Sequence, residues 1–423
     1  MDSGPVSQLL RCLSRGEADE GRGTRDGGRG TATTNWKEVV GVAVAVGVAP
    51  LLFKRLKTSG TLTRVPVEFR ERLRLAFFGT AARNRRFYQE LGLVLQRLRS
   101  AGIPAVVLKG AYLAEAAYGD AGLRPMSDVD IMVPRADLSR AHAVLLEMGG
   151  VPAEQSNQAA AGPGARDDDI DPLCRKKHHL PQLVVQGLPV EIHWNIVSPT
   201  GPVSVDAAGL WSRARPARVA GVDALALSPE DQLLHLCLHF GYEHRLEGLR
   251  AFCDIAETIH RFRGEADWAQ FVERAREWGA SRYVGLTLLL AQSLLRAEAP
   301  ENVLERLVPG GIDHRLVETA RQSLLAQARY RTWLPFSKLL GVRPLGGKLA
   351  LVMGRVFLSR DDMAAKYPAS RSSGHLWWYR VLRLRDFMRV LGDYVLRRSR
   401  LAALSRGRAR DVALVNWLES GRQ

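Results

Sequence analysis

The sequence predicts an α+β fold, with a small mixed β-sheet flanked by N-terminal helices and a large C-terminal helical region. Two observations support this class. Short apolar runs that alternate with period 2 fall between residues 101 and 200. Apolar residues at helical spacing predominate before and after them. We therefore expect a disordered tail over 1–34, helices over 35–100, a sheet-containing core over 101–200 and helices over 201–423.

The composition of the 423-residue chain is that of a globular protein with two or three domains, since 46% is hydrophobic and 25% is charged. The 60 Lys and Arg exceed the 44 Asp and Glu, which gives a net charge of +16. This excess suits a polyanion partner such as nucleic acid, although arginines spread along helices are also typical of proteins from GC-rich genomes. Four cysteines without CxxC spacing argue against a zinc site or disulfide framework and favour a cytoplasmic location.

The first 100 residues predict a tail followed by helices. The tail is rich in Gly and Arg and lacks the apolar surface that folding needs, although Arg/Gly tails also contact RNA. Residues 39–53 are an unbroken apolar run of 15 residues, short of the ~20 that span a membrane. The run therefore predicts a buried helix with Trp36 near its start, and no membrane span. Residues 67–100 have amphipathic spacing and predict a helix that ends at Ala101 and Gly102.

The core begins with a predicted strand, turn and helix. Residues 105–108 are apolar and β-branched, Lys109 and Gly110 follow as a turn, and an Ala-rich helical segment comes next. A second strand, over 127–133, places Asp128 and Asp130 on one face. Neighbouring carboxylates repel each other and resist burial, and a divalent cation would offset that cost. Mg²⁺ is the natural candidate because it prefers hard oxygen ligands.

A third carboxylate is predicted from the next strands. Residues 183–185 and 188–194 alternate and are joined by Gln186 and Gly187, as in a hairpin, so Glu191 would lie beside the first two acids. His193 shares the strand face of Glu191. It would either contact substrate or a metal-bound carboxylate, or be a hydrogen-bonded histidine at the sheet edge.

Together these residues resemble a known family. The set is Leu108-Lys109-Gly110, Arg124, Asp128-Val129-Asp130 and Glu191-Ile192-His193-Trp194. It is similar to the uncharacterised nucleotidyltransferase family of bacteria, a branch of the DNA polymerase β-like superfamily. Trp36 and residues 49–52 upstream, with His239 and Asp254 downstream, extend the resemblance over roughly 36–400.

The resemblance implies transfer of an NMP from an NTP such as ATP to a hydroxyl acceptor, with release of pyrophosphate. Asp128, Asp130 and Glu191 would be catalytic and hold two Mg²⁺ ions, with Glu191 also a candidate base. The nucleotide-binding residues would be Lys109, Gly110 and Arg124. His193, His239 and Asp254 would lie behind the metal ligands or on the acceptor side. This chain has Lys-Gly where the superfamily usually has Gly-Ser or Gly-Gly, and Asp128 follows Gly110 by 18 residues.

The remaining chain predicts a loop and then helices. Residues of about 155–175 predict a mobile surface loop, and we leave its acidic run at 167–169 outside the site. Ser228, followed by Pro and two acids, predicts a helix start. His235 and His239 then share a helix face and would suit zinc, but the HExxH glutamate is missing, so a packing contact is favoured. Further helices are predicted at 268–278, 283–295, 300–307, 314–339 and 380–398, with Trp377-Trp378-Tyr379 either in a core or stacking on bases.

Two other functions compete with transfer to a small molecule or sugar. A toxin-like transferase would modify tRNA or protein, and a non-catalytic protein would bind nucleotide or RNA on the same fold. The intact set of three acids argues against loss of catalysis. A polyanion partner would give an affinity that falls steeply with salt, whereas a small acceptor would not.

Overall fold

The computed structural model describes residues 4–14, 34–153, 177–243, 246, 248–330, 414 and 416–418. Apart from Tyr330, these residues belong to one compact unit. Within it a mixed sheet of seven strands is covered by helices on both faces, as the predicted α+β class requires. The strands are β1 Val106–Val107, β2 Val129–Met132, β3 Val151–Pro152, β4 Leu183–Val185, β5 Leu188–His193, β6 Arg215–Val219 and β7 Val222–Ala226.

The sheet order is β3-β4-β5-β2-β1-β7-β6. Strand β2 is parallel to β5 and β1 is parallel to β7, while the other neighbouring pairs are antiparallel. In the β2–β5 register Asp130 pairs with Glu191 and Met132 pairs with His193. Because side chains on paired positions point to the same face, this register brings the predicted acids together.

Alternation along the strands divides the apolar residues between two cores. Val107 and Ile131 belong to a core that includes the helices Val67–Ser100 and Leu138–Glu147, whereas Val106 and Met132 belong to a second core that includes the helices after residue 228. Asp130 has the same parity as Met132 and therefore lies on the face towards those helices.

The helices account for most of the remaining described residues. They are α1 Pro5–Leu13, α2 Trp36–Ala45, α3 Ala49–Thr58, α4 Val67–Ser100, α5 Lys109–Ala116, α6 Leu138–Glu147, α7 Ala207–Arg213, α8 Pro229–Leu238, α9 Leu249–Phe262, α10 Trp268–Glu277, α11 Ser281–Leu295, α12 Glu301–Leu307 and α13 His314–Tyr330. A π-helix, His239–Glu243, continues α8, and short 3₁₀ turns form at Thr61–Arg64 and Arg135–Asp137.

Several predicted elements are confirmed. Helix α4 has the predicted bounds, β4 and β5 form the predicted hairpin, and the Ser228 side chain accepts a hydrogen bond from the backbone N–H of Asp231 at the start of α8. The apolar run at 39–53 forms two helices, because Gly47 takes a left-handed φ of 76° and Pro50 lies in the first turn of α3. Among the described residues no helix is long and apolar enough to cross a membrane.

Two regions differ from the prediction. Pro5–Leu13, within the predicted disordered tail, form helix α1, because Val6, Leu9, Leu10 and Leu13 make an apolar stripe that is buried in the core. The sheet also continues past residue 200, because the hairpin of β6 and β7 adds two strands beside β1. Their alternation was masked by Arg and Ala residues on strands with partly exposed faces.

Other predictions fall outside the described residues. These are the loop at about 155–175 with its acidic run, most of the Gly/Arg-rich tail, the end of the helix predicted at 314–339, the aromatic cluster at 377–379 and the helix at 380–398.

Candidate active site

The site is built on the parallel pair β2 and β5. Asp130 and Glu191 are paired across these strands. The Asp130 side chain is 6% exposed and that of Glu191 is 23% exposed, so Glu191 is the carboxylate of the pair that solvent reaches more easily. Two acids at this spacing, with Asp130 so deeply buried, need positive charge nearby.

His193 supplies part of that environment. Its Nε2 lies 2.8 Å from Oδ1 of Asp130 and 3.6 Å from Oε2 of Glu191, and its side chain is 1% exposed. Its Nδ1 is buried without a hydrogen-bond partner among the described residues. The imidazole is therefore not an edge histidine but a buried group between two carboxylates.

Lys109 supplies a positive charge next to the buried Asp130. Its Nζ donates a hydrogen bond of 2.9 Å to Oδ1 of Asp130. The Lys109 backbone has a φ of 44°, in the left-handed region that residues with a Cβ rarely adopt. The preceding Leu108 N–H bonds to the Asp130 carbonyl, which fixes β1 against β2. A strained lysine directed at a buried acid is typical of a functional site.

The charges around the acids shift their pKa values in different directions. Burial opposes ionisation of Asp130, but Lys109 and His193 outweigh it and hold the Asp130 pKa well below its usual range. Interaction with the His193 imidazole lowers the pKa of Glu191. Burial, followed by the Asp130 carboxylate, raises the pKa of Asp128. Asp128 is thus the acid whose negative charge is least compensated.

A second ion pair holds the turn in place. Arg124 donates through Nε (3.2 Å) and Nη2 (2.9 Å) to the two carboxylate oxygens of Asp254, and Tyr118 donates to the same carboxylate at 2.8 Å. A Cβ at Gly110 would overlap Nη1 of Arg124. Gly110 is therefore required because the buried guanidinium passes directly over its Cα.

Asn84 is a supporting residue that the sequence analysis missed. Its side chain, fully buried on α4, donates to the carbonyls of Ala121 (2.6 Å) and Arg124 (2.8 Å). It anchors the segment between α5 and β2. An asparagine among arginines on an amphipathic helix carries no distinguishing signal, because its position on the buried stripe emerges only from the helix packing.

The other histidines lie around these residues. The ring centroids of His178 and His179 are 5.3 and 5.2 Å from that of His193, and burial lowers the pKa of His178 to about 3. Burial also holds the pKa of His235 well below its usual range. His239 begins the π-helix, with its ring centroid 6.1 Å from that of His235. Burial therefore favours the neutral imidazole at His178 and His235.

The donor set fits a divalent cation. One ligand atom each from Asp130, Glu191 and His193 all lie within 4.8 Å of one another, and no comparable His, Cys, Asp or Glu group occurs elsewhere in the part of the chain that the structure describes. The Lys109 ammonium at Asp130 shows that positive charge is accommodated there. The raised pKa of Asp128 also indicates a deficit of positive charge.

Comparison with known proteins identifies the family of the chain. A family model described as uncharacterised nucleotidyltransferase matches residues 32–296, more than half of the sequence. The chain belongs to this family. Comparison with curated proteins gave no match. Among solved structures, the solution structure of the antibiotic-resistance factor ANT(2'')-Ia is similar at 13% identity and a TM-score of 0.29, covering 46% of this chain and 92% of that one.

Family membership makes a nucleotide the expected substrate of this site. The matched residues include every site residue predicted from the sequence. The structure brings Lys109, Asp130, Glu191 and His193 together, with Asp128 adjacent to them on the chain. It places Arg124 with Asp254 in a separate buried pair, next to the turn.

Proposed function

We propose that this family member transfers a nucleotidyl group from an NTP to a hydroxyl acceptor and releases pyrophosphate. The supporting observation is the pairing of Asp130 with Glu191 across β2 and β5, with Lys109 bonded to Asp130. Family membership supports nucleotidyl transfer as the reaction class. An NTP as donor and a hydroxyl group as acceptor are parts of the proposal.

A divalent cation, Mg²⁺ in the resemblance, would be held by Asp130 and Glu191 with help from Asp128, and would neutralise charge on the phosphates. In the proposed reaction the acceptor oxygen forms a bond to the α-phosphorus, while the bond from that phosphorus to the bridging oxygen of the β-phosphate breaks. Pyrophosphate carries away the electron pair. The hydroxyl proton passes to the carboxylate of Glu191, which is the more exposed acid of the pair.

Lys109 would bind the phosphates. Its ammonium now contacts Asp130, but a side chain with four rotatable carbons can turn from a carboxylate to a phosphate without movement of the backbone. Gly110 follows it at the start of α5, whose first-turn backbone N–H groups have no side-chain cap and would be available to a phosphate. The left-handed φ of Lys109 persists because the surrounding contacts hold this turn in place.

Arg124 and Asp254 have a different proposed role. The guanidinium is saturated by Asp254 and lies against Gly110. We expect the pair to hold the phosphate-binding turn, with Tyr118 and Asn84 as supports. The direct contact of Arg124 with phosphate stays a prediction from the sequence.

The test is incubation with each α-³²P-labelled NTP and a divalent metal salt, with total RNA, a protein extract and a metabolite extract as separate acceptor sources. Asp130→Asn is the site variant. Asp223→Asn is the matched control, because Asp223 is 67% exposed on β7. We expect label in one acceptor class with wild type and the control, and none with Asp130→Asn. Binding of NTP without transfer in all three proteins would instead support a non-catalytic nucleotide-binding protein.

A further inference from the structure

We infer that His193 is a nitrogen ligand of the metal at this site, and that the site prefers a first-row transition-metal ion such as Mn²⁺ over Mg²⁺. The inference deepens the proposed function by naming the class of metal. It rests on that proposal only for the reaction, because metal binding is measured without nucleotide.

The separations of the three donor atoms are close to those of ligands to one metal ion. Nε2 of His193 lies 2.8 Å from Oδ1 of Asp130 and 3.6 Å from Oε2 of Glu191. Ligands bound at about 2.1 Å to one metal lie about 3.0–3.4 Å apart in octahedral or tetrahedral shells. The two measured separations lie on either side of this range, and all three donor atoms lie within 4.8 Å of one another, so small side-chain movements would bring them into one shell.

The His193 imidazole has one ring nitrogen without a hydrogen-bond partner among the described residues. A buried histidine with a purely structural role normally has both ring nitrogens paired. Nδ1 of His193 has no such partner within the described ranges. In the metal-free structure Nε2 of His193 donates to Oδ1 of Asp130. Because no group holds Nδ1 as an acceptor, the imidazole proton can pass to Nδ1 when a cation displaces this hydrogen bond, and the Nε2 lone pair then faces the cation.

The identity of the donor atoms determines which metal ion the site prefers. Mg²⁺ binds oxygen ligands and keeps several waters. A site that contains an imidazole binds the first-row divalent ions more tightly, with an affinity that rises from Mn²⁺ to Cu²⁺. Asp128, the oxygen donor that the sequence predicts, is not in the group whose atoms meet within 4.8 Å, and His193 is. A nitrogen among the donor atoms shifts selectivity away from Mg²⁺.

The experiment uses the full-length protein stripped of metal by a chelator, with Mn²⁺ as the probe and no nucleotide. Pulsed electron paramagnetic resonance detects coupling between Mn²⁺ and a directly bound nitrogen. Wild type is prepared unlabelled and with ¹⁵N-histidine, and Mn²⁺ affinity is measured with and without competing Mg²⁺. The variants are His193→Gln and, as matched controls, His178→Gln and His179→Gln, whose rings adjoin His193.

We expect a ¹⁴N coupling in wild type that becomes a ¹⁵N coupling on labelling, and Mn²⁺ binding at least about tenfold tighter than Mg²⁺ binding. His193→Gln should lose the coupling and weaken Mn²⁺ binding about 10- to 100-fold, with a smaller change for Mg²⁺. Both control variants should keep the coupling. If His193→Gln does not fold, as circular dichroism would show, His193→Asn takes its place, and retention of the coupling in the two controls excludes His178 and His179 as its source.

No histidine coupling in labelled wild type, or equal affinity for the two metals, would overturn the inference. So would a coupling that survives in folded His193→Gln or disappears in His179→Gln. These outcomes are separate from the fate of the proposed function, because transfer could proceed with Mg²⁺ in a protein that shows no nitrogen ligation. A nitrogen coupling without any transfer would support the metal site alone.

Discussion

Two buried charge clusters contact the same turn, and they differ in how completely their hydrogen bonds are satisfied. Around Asp254, Arg124 and Tyr118 direct three donors at one carboxylate. Around Asp130, Lys109 and His193 donate to a single oxygen, and a neighbouring acid has a raised pKa. A saturated cluster has no capacity for a ligand, whereas an unsaturated one does. In the proposed mechanism the first cluster maintains structure and the second binds metal and substrate.

The largest expected effect is on activity, in the unsaturated cluster. Asp130→Asn should lower kcat/KM by more than about 100-fold, since loss of even an indirect metal contact costs 10- to 100-fold. Because Lys109 loses its buried ion-pair partner, the urea midpoint should also fall, and the kcat/KM comparison uses protein that circular dichroism shows to be folded. Transfer assays and urea denaturation on the same preparations measure both. Near wild-type kcat/KM in Asp130→Asn would remove the site assignment.

The next effect is on stability, in the saturated cluster. Arg124→Met leaves the Asp254 carboxylate buried and uncompensated, which should cost about 3–5 kcal/mol of unfolding free energy. Adding Asp254→Asn should recover part of this loss, and urea denaturation of the four proteins completes the double-mutant cycle. Unchanged stability with a large rise in KM for the NTP would instead mean that Arg124 binds phosphate.

A smaller effect is expected at the contact between the two clusters. Gly110→Ala places a methyl group against the Arg124 guanidinium and should cost about 1–3 kcal/mol of unfolding free energy. Gly79→Ala, in the interior of α4 with open space around it, should stabilise by up to about 1 kcal/mol. Thermal unfolding should therefore shift in opposite directions. A shift of the same sign in both variants would contradict the contact.

Lys109→Met separates two roles of one side chain. The ammonium competes with a metal cation for Asp130 and would bind the phosphates of the NTP. Its removal should tighten divalent-metal binding several-fold and weaken NTP binding, as measured by calorimetry with each ligand. Weaker binding of both ligands would show that Lys109 does not compete with the metal.

The smallest effect is a gain in stability. The pKa of Asp128 in the folded protein is raised above 3.8, so the unfolded chain ionises first as the pH rises through that interval and the unfolding free energy falls. Above the interval the penalty is complete. Asp128→Asn should therefore raise the thermal midpoint of the metal-free protein at neutral pH, with a gain that shrinks as the pH approaches 3.8. A loss of stability at neutral pH would contradict the charge deficit.

Local patterns predicted much of the site. Period-2 alternation placed the acids of β2 on one face, and the hairpin at Gln186-Gly187 set the parity of Glu191 and His193. These are properties of neighbouring residues. The sequence placed Glu191 on a neighbouring strand, whereas the parallel pairing of β2 with β5, which sets Asp130 opposite Glu191, is seen only in the sheet register.

Long-range contacts could not be predicted in the same way. Arg124 and Asp254 are 130 positions apart, and no local pattern shows that they pair. The position of the His193 imidazole beside Asp130 and Glu191 also depends on two strands and the start of α5. Helix α1 could have been found from its apolar stripe, but the Gly/Arg-rich composition of the surrounding tail outweighed that short signal.

The most direct test of the central claim is a pair of reactions with the same NTP, labelled with ³²P at the α- or the γ-position, in the presence of the responsive acceptor. We predict that wild type places the α-label in the acceptor and the γ-label in pyrophosphate, and that Asp130→Asn forms neither labelled product. Appearance of γ-label in the acceptor would show phosphoryl transfer, and equal α-labelling by Asp130→Asn would show that the paired acids of β2 and β5 do not catalyse the reaction.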